Sequence, residues 1–135
     1  MSFGGINHLA VVIAAIVAFV IGAIYYGALG SRWQQAAGLD PEKTKPSAGL
    51  FIISFVCELV MAWVLAGVIG HLGTGEVTLW NGIISGFFVW LGFMATTMVV
   101  NHRYQGSGWD LTLIDTGHWL LVALVMGAII GALGV

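Results

Sequence analysis

Apolar residues run along this chain in four blocks, approximately Ile6 to Leu29, Ala48 to His71, Val77 to Val100 and Leu111 to Leu133. Each is close to the roughly 20 residues that a helix needs to cross about 30 Å of hydrocarbon. The pattern predicts an all-α, integral membrane four-helix bundle with short loops, a single transmembrane domain over residues 1–135. The first connection, Gly30 to Ser47, carries Arg32, Asp40, Glu42, Lys43 and Lys45, with Asp40-Pro41 and Lys45-Pro46 marking turns or helix starts. The second turns at Gly73-Thr74-Gly75, and the third runs from Asn101 to Asp110 around Gly106-Ser107-Gly108. No linker or low-complexity tract separates the blocks. Gly30-Ser31-Arg32-Trp33 after the first block is echoed by Gly106-Ser107-Gly108-Trp109 after the third. Turn chemistry with an interfacial indole accounts for that echo better than an internal repeat does.

Composition narrows the class further. Only 7% of the residues are Asp, Glu, Lys or Arg and 59% are hydrophobic, whereas a soluble domain carries about 25% charged residues. The mean hydropathy of +1.00 agrees, and 20 glycines with six tryptophans suit close helix contacts and interfacial aromatic rings. A net charge of −2 with four Lys or Arg offers no basic surface to nucleic acid. One cysteine makes no internal disulfide. The first block reads as a span rather than a leader peptide, because no cationic segment precedes it and its apolar run is too long.

Four crossings put the first and third connections on one side. Arg32, Lys43, Lys45 and Arg103 all fall there, so the positive-inside rule makes loops 30–47 and 101–110 cytoplasmic and the termini external. Trp33, Trp80 and Trp109 sit at block ends, where indoles favour the headgroup region.

Lipid is as apolar as leucine, so the spans must associate by close packing and hydrogen bonds. Small residues at intervals of one helical turn supply a narrow face on each: Ala14, Ala18 and Gly22; Ser54, Ala62, Ala66 and Gly70; Gly82 and Gly86; Ala123, Gly127 and Gly131. The Gly82–Gly86 and Gly127–Gly131 pairs fit packing inside one bundle better than a dedicated dimer face.

Chemistry is confined to few positions. Glu58 lies roughly 15 Å deep in the second block. An ionised carboxylate there costs about 2.5–3.5 kcal/mol, so it should face protein or water or carry a proton. Its spacing from Ser54 and Ala62 puts it on the packing face. Two readings compete for it, a proton or cation relay and a protonated carboxyl bridging two helices. Cys57, about 100° around the helix, reads as packing. Asp115 and His118 share a face of the fourth block, and the same end of the bundle receives Tyr25, Tyr26, Thr96, Thr97 and Asn101. This predicts a cytoplasm-facing polar pocket lined by Tyr26, Glu58, Thr97, Asn101, Asp115 and His118.

Three readings of that pocket are open: Asp115 orienting His118 as a base or proton carrier, local bracing of the helix start, and metal binding. The last lacks a second Glu-x-x-His partner, and His8 and His71 lie on the opposite side. No cofactor is expected, because no nucleophile elbow, Walker loop, His-Glu-x-x-His or dinucleotide fingerprint occurs and Gly-x-Gly appears only in short turns. His102 and Arg103, with Arg32, Lys43 and Lys45, are placed to meet anionic lipid headgroups or simply to set orientation.

Asn7 before an Ala-rich span, Gly22 to Tyr26, Trp33, Trp90-Leu-Gly92-Phe, and Asn101 through Gly106 to Leu113-Ile-Asp115-Thr-Gly-His118 form a pattern. It resembles a family of small bacterial four-span membrane proteins known as a domain of unknown function, the one numbered seventeen sixty-one. The resemblance covers nearly the whole chain and is most specific from Asn101 to His118. It implies a four-span protein of the bacterial inner membrane, with Tyr26, Trp33, Trp90, Asn101, Asp115 and Gly117 at signature positions, and it brings no activity. The expected function is a transporter or ligand-binding membrane protein with proton coupling through Glu58 and the Asp115–His118 pair. Four helices leave little room for a path within one copy, so a homo-oligomer is expected. The alternatives are a non-catalytic accessory subunit of a larger membrane complex and a lipid-modifying membrane enzyme.

Overall fold

A computed structural model describes residues 5–135, and every regular element among them is helical. The chain forms α1 (His8–Ala37), α2 (Ala48–Gly70), α3 (Leu79–Tyr104) and α4 (Trp109–Leu133), each long and apolar enough to cross a membrane. The helix starts follow local rules. Asn7, Ser47 and Thr78 accept hydrogen bonds from the backbone N–H of Ala10, Leu50 and Asn81, satisfying donors that the first turn leaves free.

α1 outruns its apolar block by two turns, because Arg32, Gln34 and Gln35 favour helix and the stop arrives only at Gly38, whose φ of 68° gives the left-handed cap. Gly38 N–H and Leu39 N–H then bond back to Gln35 and Gln34 at 3.2 and 2.9 Å. The first connection is thereby shortened to residues 38–47. α3 likewise continues past Val100 to Tyr104, and it contains a π-helical segment, Trp90–Ala95. The wider turn follows from side chains competing for its carbonyls: Thr96 Oγ1 donates to Gly92 O at 2.8 Å and Thr97 Oγ1 to Phe93 O at 2.6 Å.

α4 is the central helix. It touches all three others, whereas α1 and α3 do not meet. Ala10, Ala14 and Ala18 of α1, Ala62, Ala66 and Ile69 of α2, and Val122, Met126 and Ile130 of α4 are buried at the interior of the described bundle. On the other side of α4, α3 docks backbone to backbone. A Cβ on Gly82 would fall on the carbonyl oxygen of Gly127, one on Gly86 on that of Ala123, and one on Gly131 on that of Thr78. Both glycine pairs are therefore used inside one chain. Asn7 ties the far end together, donating from Nδ2 to Leu133 O at 3.2 Å. The large exposed side chains, among them Leu9, Ile24, Ile52, Trp80, Phe88, Phe93 and Leu113, cover the outside of the bundle, as lipid contact requires.

Candidate functional site: a buried histidine and glutamate above an Asp115 cluster

Asp115 is the hub of the polar end. Tyr26 of α1 donates its hydroxyl to Asp115 Oδ1 at 2.7 Å. From α3, His102 Nε2 stands 3.8 Å from Asp115 Oδ2, with the two side chains 12% and 18% exposed. His102 Nδ1 lies 2.9 Å from Thr112 Oγ1, a hydroxyl that also accepts from Arg103 at 2.8 Å and reaches Gly108 O at 3.4 Å. The shorter contact makes Nδ1 the acceptor of the threonine proton, which leaves the ring's own proton on Nε2, toward Asp115. Thus three helices converge on one carboxylate. Arg103 is committed elsewhere: it donates to Ser107 O and Gly108 O at 2.9 and 3.0 Å and stacks 3.8 Å from the Trp109 ring, fastening the α3–α4 loop.

The i,i+3 spacing suggested that Asp115 would orient His118. The structure pairs Asp115 with His102 and Tyr26 instead, because the α1 and α3 side chains reach the carboxylate before its own helix neighbour can. His118 points inward, where Gly22 makes room: a Cβ on Gly22 would come within 3.2 Å of His118 Nε2. The imidazole lies among Tyr25, Tyr26 and Trp119, with ring centroids at 5.5, 4.8 and 4.6 Å. It is 4% exposed, and neither ring nitrogen has a hydrogen-bond partner.

Glu58 of α2 shares this condition. It is 3% exposed and its Oε2 is buried without a partner. Helix register gives its height. Along antiparallel α1 and α4, Asn7 is level with Leu133, Gly22 with His118, and Tyr26 with Asp115. Phe19 of α1 meets Phe51 and Phe55 of α2, and Gly70 of α2 lies against Val135. These pairings put Glu58 about one and a half to two helical turns, roughly 7–12 Å, farther from the polar end than His118. Asp115, His118 and Glu58 therefore rise as steps into the bundle. A buried polar atom left unpaired costs about 1–3 kcal/mol, so three of them within about two helical turns are unusual and need a reason.

Thr97 and Asn101 do not join this group. Both are exposed on α3, and the Thr97 hydroxyl is occupied by its own helix. The π-helical turn accounts for Thr97, since its hydroxyl serves a carbonyl of that segment. His102, considered in the sequence only as a headgroup contact, belongs to the site. The signal for it was available in the sequence: it lies near the end of the same apolar block as Thr97, facing the start of α4. Trp90 braces the same region, donating from Nε1 to Thr116 O at 2.9 Å, as Tyr25 does to Ile114 O at 2.8 Å.

The family model described as "Protein of unknown function (DUF1761)" matches residues 9–131, a stretch that takes in nearly all of the four helices. Neither a curated protein nor a solved structure matches the chain.

Proposed function

We propose that this chain, which belongs to the DUF1761 family, is a transporter or ligand-binding protein of the membrane that exchanges protons with its ligand at the level of Glu58 and His118. One observation carries the reading: Glu58 Oε2 and both His118 nitrogens are buried with no partner. Groups held this way are poised to take a proton or a ligand atom, because either relieves the desolvation they suffer. Asp115 and His102 act as the outer step, one a carboxylate and the other a base, reached from the polar end. Tyr26 fixes Asp115 and its ring flanks His118, so it links the outer step to the inner one.

Further parts of the reading follow from the same physics. Four helices offer little room for a path within one copy, so the path for a ligand runs along a helix face or between copies in a homo-oligomer. The protein sits in the bacterial inner membrane with loops 30–47 and 101–110 in the cytoplasm, supported by the placement of Arg32, Lys43, Lys45 and Arg103.

Reconstitution into vesicles with a trapped pH indicator tests the proposal. The wild-type chain should carry protons across when a ligand gradient is imposed, and Glu58→Gln and His118→Ala should each lose most of that flux. Equal flux in all three would remove the reading. Unchanged flux together with loss of a co-purifying membrane subunit would favour an accessory role.

A further inference from the structure

We infer that the ligand exchanged against the Glu58 proton is a lipophilic organic cation, admitted sideways from the bilayer between α2 and α3. The inference rests on the proton-exchange reading above and adds the substrate class and its route.

Charge comes first. Ionised, Glu58 has no fixed counter-charge among the described residues. Among these, Lys43 pairs with Asp40 and the His102 ring faces Asp115, and Arg103 is held by loop carbonyls, Thr112 and Trp109. Arg32, Lys43 and Lys45 are exposed near the end of α1 and in the loop that follows. A carboxylate buried without a cation is stable when it holds a proton or when a ligand brings the positive charge, and it cannot do both at once. An inorganic cation would need several oxygen ligands, and Glu58 offers one carboxyl.

The surroundings favour a cation with apolar, aromatic-compatible substituents. Phe55 lies one turn from Glu58 on the same face, and Phe19 meets both Phe51 and Phe55 edge-on with centroids 6.0 Å apart. Tyr25, Tyr26 and Trp119 gather around His118 below. Ring faces attract cations, and more strongly where water is excluded.

The route is set by what α2 does not touch. It meets neither the π-helical segment Trp90–Ala95 nor Thr96–Tyr104, so the polar-end half of α2 stands clear of α3. Around this half, Leu50 to Ser54, Val56 and Cys57 are all exposed. In the segment of α3 that α2 does not touch, Leu91, Phe93 and Val100 are exposed. No charged residue occurs from Ala48 to Cys57 or from Trp90 to Val100. A hydrated ion finds no charge to hold it there, whereas an ion that partitions into lipid meets an uncharged, largely apolar approach toward Glu58.

In the exchange the Glu58 O–H bond breaks, the proton leaves to solvent by way of His118, Asp115 and His102, and the cation takes its place beside the carboxylate. Charge at the site is conserved. The buried or half-buried titratable groups at the polar end of the helices packed against α2 are Tyr25 and Tyr26 of α1, Asp115 and His118 of α4, and His102 and Arg103 of α3, while Arg32, Tyr104 and Asp110 there are exposed; His118 is the nearest of them to Glu58 in register.

Tetraphenylphosphonium is the probe. Titrated calorimetrically into the full chain in detergent, in two buffers of different ionisation heat, it should release close to one proton per cation bound, and its affinity should weaken about tenfold for each pH unit lowered once Glu58 is protonated. Glu58→Gln should abolish binding, while Glu58→Asp keeps it. Equal binding by Glu58→Gln, or binding with no proton released at any pH, overturns the inference without needing the variant to be compared for stability. If tetraphenylphosphonium fails to bind but Glu58-dependent proton flux persists in vesicles with a polar solute, the cation inference falls and the proton-exchange reading stands. If the wild-type chain moves no protons under any gradient, the reading beneath it falls as well.

Discussion

Toward the Asn7 end, α3 and α4 approach until Gly82 and Gly127 leave no space for a Cβ on either helix. Toward the polar end the same two helices are spaced by the Trp90 indole and the His102 imidazole, which reach across to Thr116 and Thr112. α2 shows the same division: Ala62, Ala66 and Ile69 are buried, while its first turns stand free of α3. Close backbone packing gives a membrane bundle its cohesion, since dispersion and short polar contacts replace the hydrophobic drive. Bulky, incompletely satisfied side chains give up part of that cohesion and hold groups that can react. One half supplies the stability that the other half draws down.

Four substitutions and one control sharpen that contrast. The largest effect is expected from Gly127→Leu, which would force α3 off α4 and destabilise by about 3 kcal/mol or more. Gly27→Leu, where a Cβ meets nothing within 4 Å, is its control, and thermal denaturation in detergent compares them; similar losses would mean that the close approach is not what holds the halves together. Next in size is a change of opposite sign. Glu58→Leu removes a buried unpaired carboxyl, so it should stabilise the fold by roughly 1–3 kcal/mol while ending proton exchange. A destabilised Glu58→Leu would show that the carboxyl has a structural partner. Tyr26→Phe deletes the donor to Asp115 and should cost about 1 kcal/mol, with proton flux falling more than stability does. Smallest of all, Thr97→Val should change stability by less than about 0.5 kcal/mol and leave flux intact, since the hydroxyl serves only its own helix. A large loss of flux in Thr97→Val would return that residue to the site.

Much of the fold was legible from the sequence. The apolar blocks mark the four helices because a bilayer's thickness dictates their length, and Asn7, Ser47 and Thr78 mark three starts through side-chain capping. Where the blocks end was less informative, as α1 shows: hydropathy falls at Leu29, yet helix propensity continues to the glycine at position 38. The site was legible in part. Glu58 could be placed on an inward face from its spacing to Ala62, and burial at 3% exposure agrees. The partner of Asp115 could not be read, because i,i+3 spacing reports only what one helix can do to itself, and His102 and Tyr26 arrive from two other helices.

By itself, then, the sequence determined that this chain lives in a membrane as four helices with small residues on their contact faces, because hydrocarbon admits only backbones that satisfy themselves and chains that pack without hydrophobic help. Only the tertiary structure decided that both glycine pairs meet within one copy, that the π-helical segment of α3 occupies Thr97 with its own carbonyls, and that His118 and Glu58 end up buried and unpaired at successive heights. Those outcomes depend on the rotation and register of helices against one another, which residues far apart in the chain settle jointly.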